Sequence, residues 1–165
     1  MTKNFLPKTF LTPSFLFKEA DESMVSVLES IDTDSNFTTP YSVKVNFEIC
    51  ADPKENSNYY LVLSNGQPLA SFTILLSKTN DIGIELTLAP ALRGQGLGSR
   101  IVDEFINYAK QINPASIISL SINPKNEHAK KQVAKLGFEM VRNTGMDEYE
   151  LKTEDYKSKG IRMPE

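Results

Sequence analysis

Leu86-Thr87-Leu88-Ala89-Pro90-Ala91-Leu92-Arg93-Gly94-Gln95-Gly96-Leu97-Gly98-Ser99 joins an apolar, β-rich run to an apolar-periodic one. Upstream, Ile82 to Ala89 reads as a strand. Downstream, Ile101, Val102, Phe105, Ile106, Ala109 and Ile112 fall on one face of a helix from Ser99 to Ile112. Glycines at such a junction let backbone N–H groups come close to a ligand, because no Cβ stands in the way. The first helical turn adds unpaired N–H groups and the positive end of the helix dipole. The residue types therefore describe an anion cradle suited to a pyrophosphate.

Two other phosphate cradles do not fit. A P-loop needs Gly-Lys-Ser/Thr at its end, and the chain has Gly98-Ser99-Arg100. A dinucleotide fingerprint counted from Gly94 puts Ser99 at its third glycine, and the stretch from Pro114 to Ile118 carries no acid to meet a ribose. A glycine-rich turn without a ligand is the plain alternative.

Toward the N-terminus, Tyr59 to Leu63 and Leu69 to Leu76 are β-rich runs joined through Asn65-Gly66, which predicts a hairpin. Val43, Val45, Phe47 and Ile49 alternate with Lys44, Asn46 and Glu48, which predicts a strand over 43–49. Asp21 to Ile31 predicts a helix capped by Asp21, with a short strand at Phe15 to Phe17 before it. Polar stretches at 32–39 and 52–58 predict loops.

Toward the C-terminus, Ile118, Leu120 and Ile122 alternate with serines as a strand does. Asn126 to Leu136 predicts a basic helix stopped by Gly137. Phe138 to Arg142 and Glu148 to Leu151 predict a closing hairpin, and the polar residues 152–165 predict a frayed tail. No repeat or compositional break divides residues 1–165, so one α/β (α+β) domain around a mixed sheet is expected.

Composition narrows the function classes. The 165 residues are 40% hydrophobic and 24% charged, as in an ordinary globule. A net charge of −3 gives no electrostatic case for nucleic acid. No apolar run reaches the length of a membrane span or a signal-peptide core, so a cytoplasmic protein is expected. Cys50 is the one cysteine and reads as a packed small hydrophobe in a reducing compartment. His128 is the one histidine and reads as exposed; no metal site is expected. Asn36-Phe37-Thr38 fits a glycosylation sequon but reads as an ordinary loop.

Three elements resemble one family. Arg93-x-x-Gly96-x-Gly98 resembles the Q/R-x-x-G-x-G/A acyl-CoA loop of the GNAT acetyltransferase superfamily. Leu86-x-Leu88-x-Pro90 lies where that family has its L-x-V-x-P strand end. Asn126-x-x-Ala129 followed by Lys135-Leu136-Gly137-Phe138 resembles its N-x-x-A-x-x-x-Y-x-K-x-G-F helix. The match is strong over 82–138. The strand expected at 43–49 stands where the family often has a second helix.

The resemblance implies a GNAT fold, with a mostly antiparallel mixed sheet flanked by helices and a splayed parallel strand pair holding acyl-CoA. It implies an N-acetyltransferase using acetyl-CoA as co-substrate, in which a primary amine attacks the thioester directly. The acceptor would be a small molecule or a peptide or protein amine, and a homodimer is compatible with it. By the same resemblance, Leu86, Thr87 and Leu88 supply backbone groups to pantetheine, and the N–H of Leu88 polarises the thioester carbonyl. Arg93, Gly94, Gln95, Gly96, Leu97, Gly98 and Ser99 form the pyrophosphate loop, and Asn126 meets the pantetheine region.

The chain departs from the family at two places. The usual tyrosine acid falls on Val133, and a frequent glutamate base falls on Ser121. Neither residue does that proton transfer. Glu85, on the strand before Leu88, becomes the first candidate base, with Asp81 a weaker one; a glutamate on the solvated face of that strand is the plain alternative. Tyr149, in the closing hairpin, reads first as a packed strand residue and is a weak candidate acid. Arg100, Lys125, Lys130, Lys131 and Lys135 suggest a basic cluster beside the loop. The alternative of a different class is a non-catalytic acyl-CoA-binding module on the same fold.

Overall fold

The computed structural model describes residues 7–32, 43–52, 54–77 and 81–163. Eight strands form one sheet: β1 (Phe10–Leu11), β2 (Leu16–Glu19), β3 (Ser57–Ser64), β4 (Gln67–Leu76), β5 (Asp81–Leu88), β6 (Ile117–Ile122), β7 (Glu139–Arg142) and β8 (Asp147–Lys152). Their spatial order is β1-β2-β3-β4-β5-β6-β8-β7. All neighbours run antiparallel except β5 and β6, which are parallel. The connection between that pair is α3 (Leu97–Ile112), the long crossover that a parallel pair requires. The other helices are α1 (Val25–Asp32), α2 (Val43–Ala51) and α4 (Glu127–Leu136).

The sheet is covered on both faces in its middle. Along β3, Tyr60 and Val62 enter the main core with Phe10, Phe17, Phe72 and Phe105. Tyr59 and Leu61 alternate into a second core with Met24, Leu28 and Ile31 on the α1 side. That double burial is why Tyr59-Tyr60-Leu61-Val62 is apolar without a break. In the main core Phe17 meets Phe72 edge-on at 5.3 Å, and Phe72 lies 4.9 Å from Phe105 on α3. The Asn65-Gly66 turn has φ of 52° and 78°, the left-handed pair that a tight hairpin needs.

The strand expected at 43–49 is a helix. Val43 and Asn46 are buried, and Phe47 and Cys50 pack against the second core. Positions 43, 46, 47 and 50 share one helical face, so the segment satisfies period 3.6 as well as period 2. The available surface, α1 and the Tyr59 face of β3, takes the helical set. The 3-10 turn Glu22–Met24 leads into α1, with Asp21 accepting from the Ser23 N–H as the sequence suggests. Asn36-Phe37-Thr38 and most of the loop expected at 32–39 lie outside the described residues.

The segment after β8 does not fray within the described residues. Thr153 and Tyr156 are buried. The Tyr156 hydroxyl donates to Asp103 Oδ1 at 2.5 Å, and Ser158 Oγ and the Lys159 N–H donate to the same carboxylate. Lys110 Nζ donates to the Tyr156 carbonyl at 2.8 Å. Burial and the neighbouring Asp103 carboxylate push the Tyr156 hydroxyl well above its ordinary pKa. On the next residue of α3, Glu104 accepts from Thr12 Oγ1 and the Ser14 N–H and pairs with Arg100 Nε at 2.6 Å. Burial alone would raise the Glu104 pKa, but these donors outweigh it and hold it below the ordinary value. Asp103 and Glu104 are two charges on a covered helix face, and such groups need donors. Both chain ends supply them, which a polar tail composition does not disclose.

Removing the Tyr156 hydroxyl leaves one buried carboxylate oxygen short of a donor. Tyr156→Phe is expected to lower unfolding free energy by about 1–3 kcal/mol, read from urea denaturation. A change within experimental error would show that the bond from Tyr156 to Asp103 adds nothing to stability.

Candidate functional site

β5 and β6 are in register only at Asp81↔Ile117, Ile82↔Ile118 and Gly83↔Ser119. Beyond that each strand continues on its outer neighbour alone. β5 stays paired with β4 up to Leu88, and β6 with β8 up to Ile122. The pair therefore splays open toward its C-terminal end.

The direction of each backbone group in this gap follows from the ladders. The Ala89 N–H donates to the Leu69 carbonyl on the β4 side at 2.9 Å. Backbone groups alternate along a strand, so Glu85 and Thr87 also turn theirs toward β4. Leu86 and Leu88 then turn N–H and C=O toward β6, into the gap. On β6 the Thr153 N–H donates to the Ser116 carbonyl, so the even positions face β8 and Ser121 faces β5. An extended ligand carrying amides would meet Leu86 and Leu88 as a third strand would. Thr87, expected to act through its backbone, instead pairs with Ser71 on β4.

The α3 N-terminus stands over this gap. Gly94 and Gly96 have φ of 80° and 82°, and Gly96 is the helix N-cap. Their conformation, not crowding, calls for glycine, since a Cβ would meet nothing within 4 Å at either. Gly98 is different: a Cβ there would touch Leu88 Cδ1 at 3.5 Å and Leu86 Cδ2 at 3.6 Å. These are ordinary contact distances, so the first turn of α3 lies directly on β5 without requiring glycine there. The first helical bond runs from the Arg100 N–H to the Gly96 carbonyl. The N–H groups of Leu97, Gly98 and Ser99 precede it and have no intrahelical acceptor. Gln95 reaches back to the Ala91 carbonyl at 3.2 Å.

The basic cluster is smaller than the sequence suggested. Arg100 is drawn away by Glu104, by Ser14 Oγ and by the Ile161 carbonyl. Lys130 lies 3.3 Å from buried Asp147, and that hydrogen bond raises its pKa. Lys125, Lys131 and Lys135 remain as exposed cations on or beside α4. Asn126 caps α4 by accepting from the Ala129 N–H at 3.2 Å. Val133 and Tyr149 are both packed in the main core. His128 is exposed. Two connections were missed by sequence reasoning. Ser99 Oγ hydrogen-bonds Gln132 on α4 at 2.6 Å, and Arg93 Nε and Nη2 donate to the Leu88 carbonyl at 3.2 and 3.0 Å.

Because Leu86 and Leu88 face α3, Glu85 and Thr87 face the other side of the sheet, toward α1. Glu85 lies opposite Thr73 and Thr87 opposite Ser71, and both of those partners are buried. Glu85 itself is half-buried. Three residues of strand separate it from Leu88, about 10 Å, whereas Asp81 is about 23 Å away. That distance removes Asp81 from the site.

Comparisons with known proteins agree with this geometry. The Acetyltransferase (GNAT) family profile matches residues 23–138. The solved coenzyme A complex of RimL, a ribosomal-protein alpha-N-acetyltransferase, superposes with TM-score 0.69 at 12% identity, covering 88% of this chain and 97% of that one. The aminoglycoside acetyltransferase AAC(6')-Ib, also with coenzyme A, gives TM-score 0.69 at 19% identity over 84% and 95%. A variant of spermidine N-acetyltransferase SpeG from Vibrio cholerae gives 0.70 at 11% over 87% and 96%. No curated protein sequence matches the chain. The parallel pair, the glycine-rich helix start and the profile spanning both agree, and the chain belongs to the GNAT acetyltransferase family.

Proposed function

We propose that the chain is an acetyl-CoA-dependent N-acetyltransferase in which a primary amine of the acceptor attacks the thioester directly. The observation that carries this reading is the end of β5–β6 pairing at Gly83 and Ser119, under the N-terminus of α3. Two structural relatives, RimL and the aminoglycoside enzyme, were solved with coenzyme A, which supports the co-substrate. Relatives of this fold act on ribosomal protein, spermidine and aminoglycosides, so the class of acceptor common to them is an amine.

In this reading the N–H groups from Gly94 to Ser99 hold the pyrophosphate. Leu86 pairs with the pantetheine amides. The Leu88 N–H donates to the thioester oxygen as negative charge develops there. Glu85, through water, takes a proton from the acceptor ammonium, whose reference pKa is about 10.4 in lysine. The amine nitrogen bonds to the carbonyl carbon, the C–S bond breaks, and coenzyme A leaves as thiolate. Val133 has no proton to give it. Tyr149 is packed in the core, so water is the simplest proton source for the thiolate. Holding both reactants in one cleft supplies about 7–11 kcal/mol when the attack geometry is good. Cys50 as a lone thiol suits a reducing, cytoplasmic setting.

The test is amine-dependent release of free thiol from acetyl-CoA over a panel of polyamines, aminoglycosides and peptide amines. At least one amine should accelerate release. Thiol release from none, with acetyl-CoA bound, would favour a binding module instead. Gly96→Glu places a carboxylate where the phosphates would sit and should abolish acetyl-CoA binding in calorimetry. Undiminished affinity in that variant would refute the loop assignment. Glu85→Gln should lower kcat by roughly 10²–10⁴-fold at neutral pH, and the deficit should shrink as pH rises and the amine deprotonates unaided. A pH-independent, wild-type rate would return Glu85 to a structural role.

A further inference from the structure

We infer that Arg93, although it opens the phosphate-loop motif, is a positioning residue for the thioester end of the cleft rather than a phosphate ligand. The inference rests on the acetyltransferase reading above. Arg93 Nε and Nη2 both donate to the Leu88 carbonyl, at 3.2 and 3.0 Å, and Nη2 also reaches the Ile31 carbonyl at 3.4 Å. The guanidinium therefore grips the last residue of β5 and the last turn of α1 together.

Leu88 is where that grip has an effect on chemistry. Its N–H and C=O point to the same edge of β5, into the gap. The N–H is the donor that meets the developing oxyanion, and the C=O beside it carries partial negative charge that would oppose it. A cation on that carbonyl offsets the opposition. The grip also holds the strand end still. The peptide between Thr87 and Leu88 is pinned through the Thr87 pairing with Ser71 on β4. The peptide between Leu88 and Ala89 is held on the β4 side by the Ala89–Leu69 bond, the last rung before the chain turns at Pro90. Arg93 holds that same peptide from the opposite edge. With both planes fixed, the Leu88 N–H cannot swing as a terminal strand residue otherwise does.

The Ile31 contact extends this to the acceptor side. The last carbonyls of a helix lack intrahelical partners and favour a cation. α1 lies over β4 and β5 on the face that carries Glu85. One side chain thus ties the helix over the proposed base to the strand that polarises the thioester. A guanidinium suits this because its planar fork directs several N–H groups at once, whereas a lysine ammonium is a single point.

The test compares Arg93→Lys and Arg93→Gln with wild type using two donors, acetyl-CoA and acetyl-pantetheine, which carries the same thioester without the pyrophosphate. Coenzyme A affinity by calorimetry should stay within about threefold of wild type in both variants. Acetyl transfer should fall on the order of tenfold to a hundredfold in kcat/KM, less than the 10²–10³ of deleting an oxyanion donor outright. The fall should be the same for both donors and smaller for Arg93→Lys. A tenfold or greater loss of coenzyme A affinity, with a deficit confined to acetyl-CoA, would make Arg93 a phosphate ligand and overturn the inference. Unchanged kcat/KM in both variants would also overturn it, as would unfolding of both variants in a thermal melt, which would leave Arg93 a purely structural role. Failure of the wild type to bind coenzyme A would instead refute the acetyltransferase reading itself, and the inference with it.

Discussion

The site depends on two parallel strands that stop pairing partway. Up to Gly83 and Ser119 they share a ladder; past it, each is held only from outside, β5 by β4 and β6 by β8. An unpaired backbone polar group costs about 1–3 kcal/mol when it is buried without a partner. A closed sheet would avoid that cost, so the opening is sustained by what surrounds it. The antiparallel partners hold both strands from outside, and the first turn of α3 packs directly on Leu86 and Leu88. Arg93 takes the Leu88 carbonyl, the group at the mouth of the gap. What remains facing inward is a short row of donors and acceptors on Leu86 and Leu88, with the α3 N-terminus over one end.

α3 carries the rest of the arrangement. Its inner face supplies Ile101, Phe105, Ile106 and Ala109 to the main core. Its outer face carries Asp103 and Glu104, which are buried because both chain ends fold over them. Thr12 and Ser14 come from one end, Tyr156 and Ser158 from the other. Arg100 belongs to this fastening rather than to the glycine loop. The helix that presents the loop is thereby bonded to segments before β2 and after β8. Ser99 and Gln132 extend the bonding to α4.

Local signals along the chain were readable where one physical requirement had one solution. Asn65-Gly66 had to be a tight turn because both residues take positive φ. Gly94 and Gly96 sit in the same region of backbone space, and Gly137 ends α4 there. Val43 to Cys50 was not readable because its apolar residues satisfy two periods, and only the surface of α1 and β3 decides between them. Charged residues were misjudged for a related reason. Arg100 and Lys130 look like solvated cations or phosphate ligands until Glu104, one turn on along α3, and Asp147, on β8, are seen beside them. The motif letter Arg93 pointed to the right loop but not to the carbonyls it holds. Thr87 turns its backbone to β4 rather than into the gap, a matter of ladder phase that composition does not carry.

The claim that the open half of the β5–β6 pair receives the acyl-CoA is tested most directly by amide shifts in labelled protein titrated with acetyl-CoA. Large changes are expected at the N–H groups of Leu86, Leu88 and Gly94 to Ser99. The N–H groups of Glu85 and Thr87, committed to β4, should move little. Shifts concentrated elsewhere, as in the shallow groove lined by Leu11, Phe15, Leu63 and Asn65, with Leu86 and Leu88 unmoved, would contradict it.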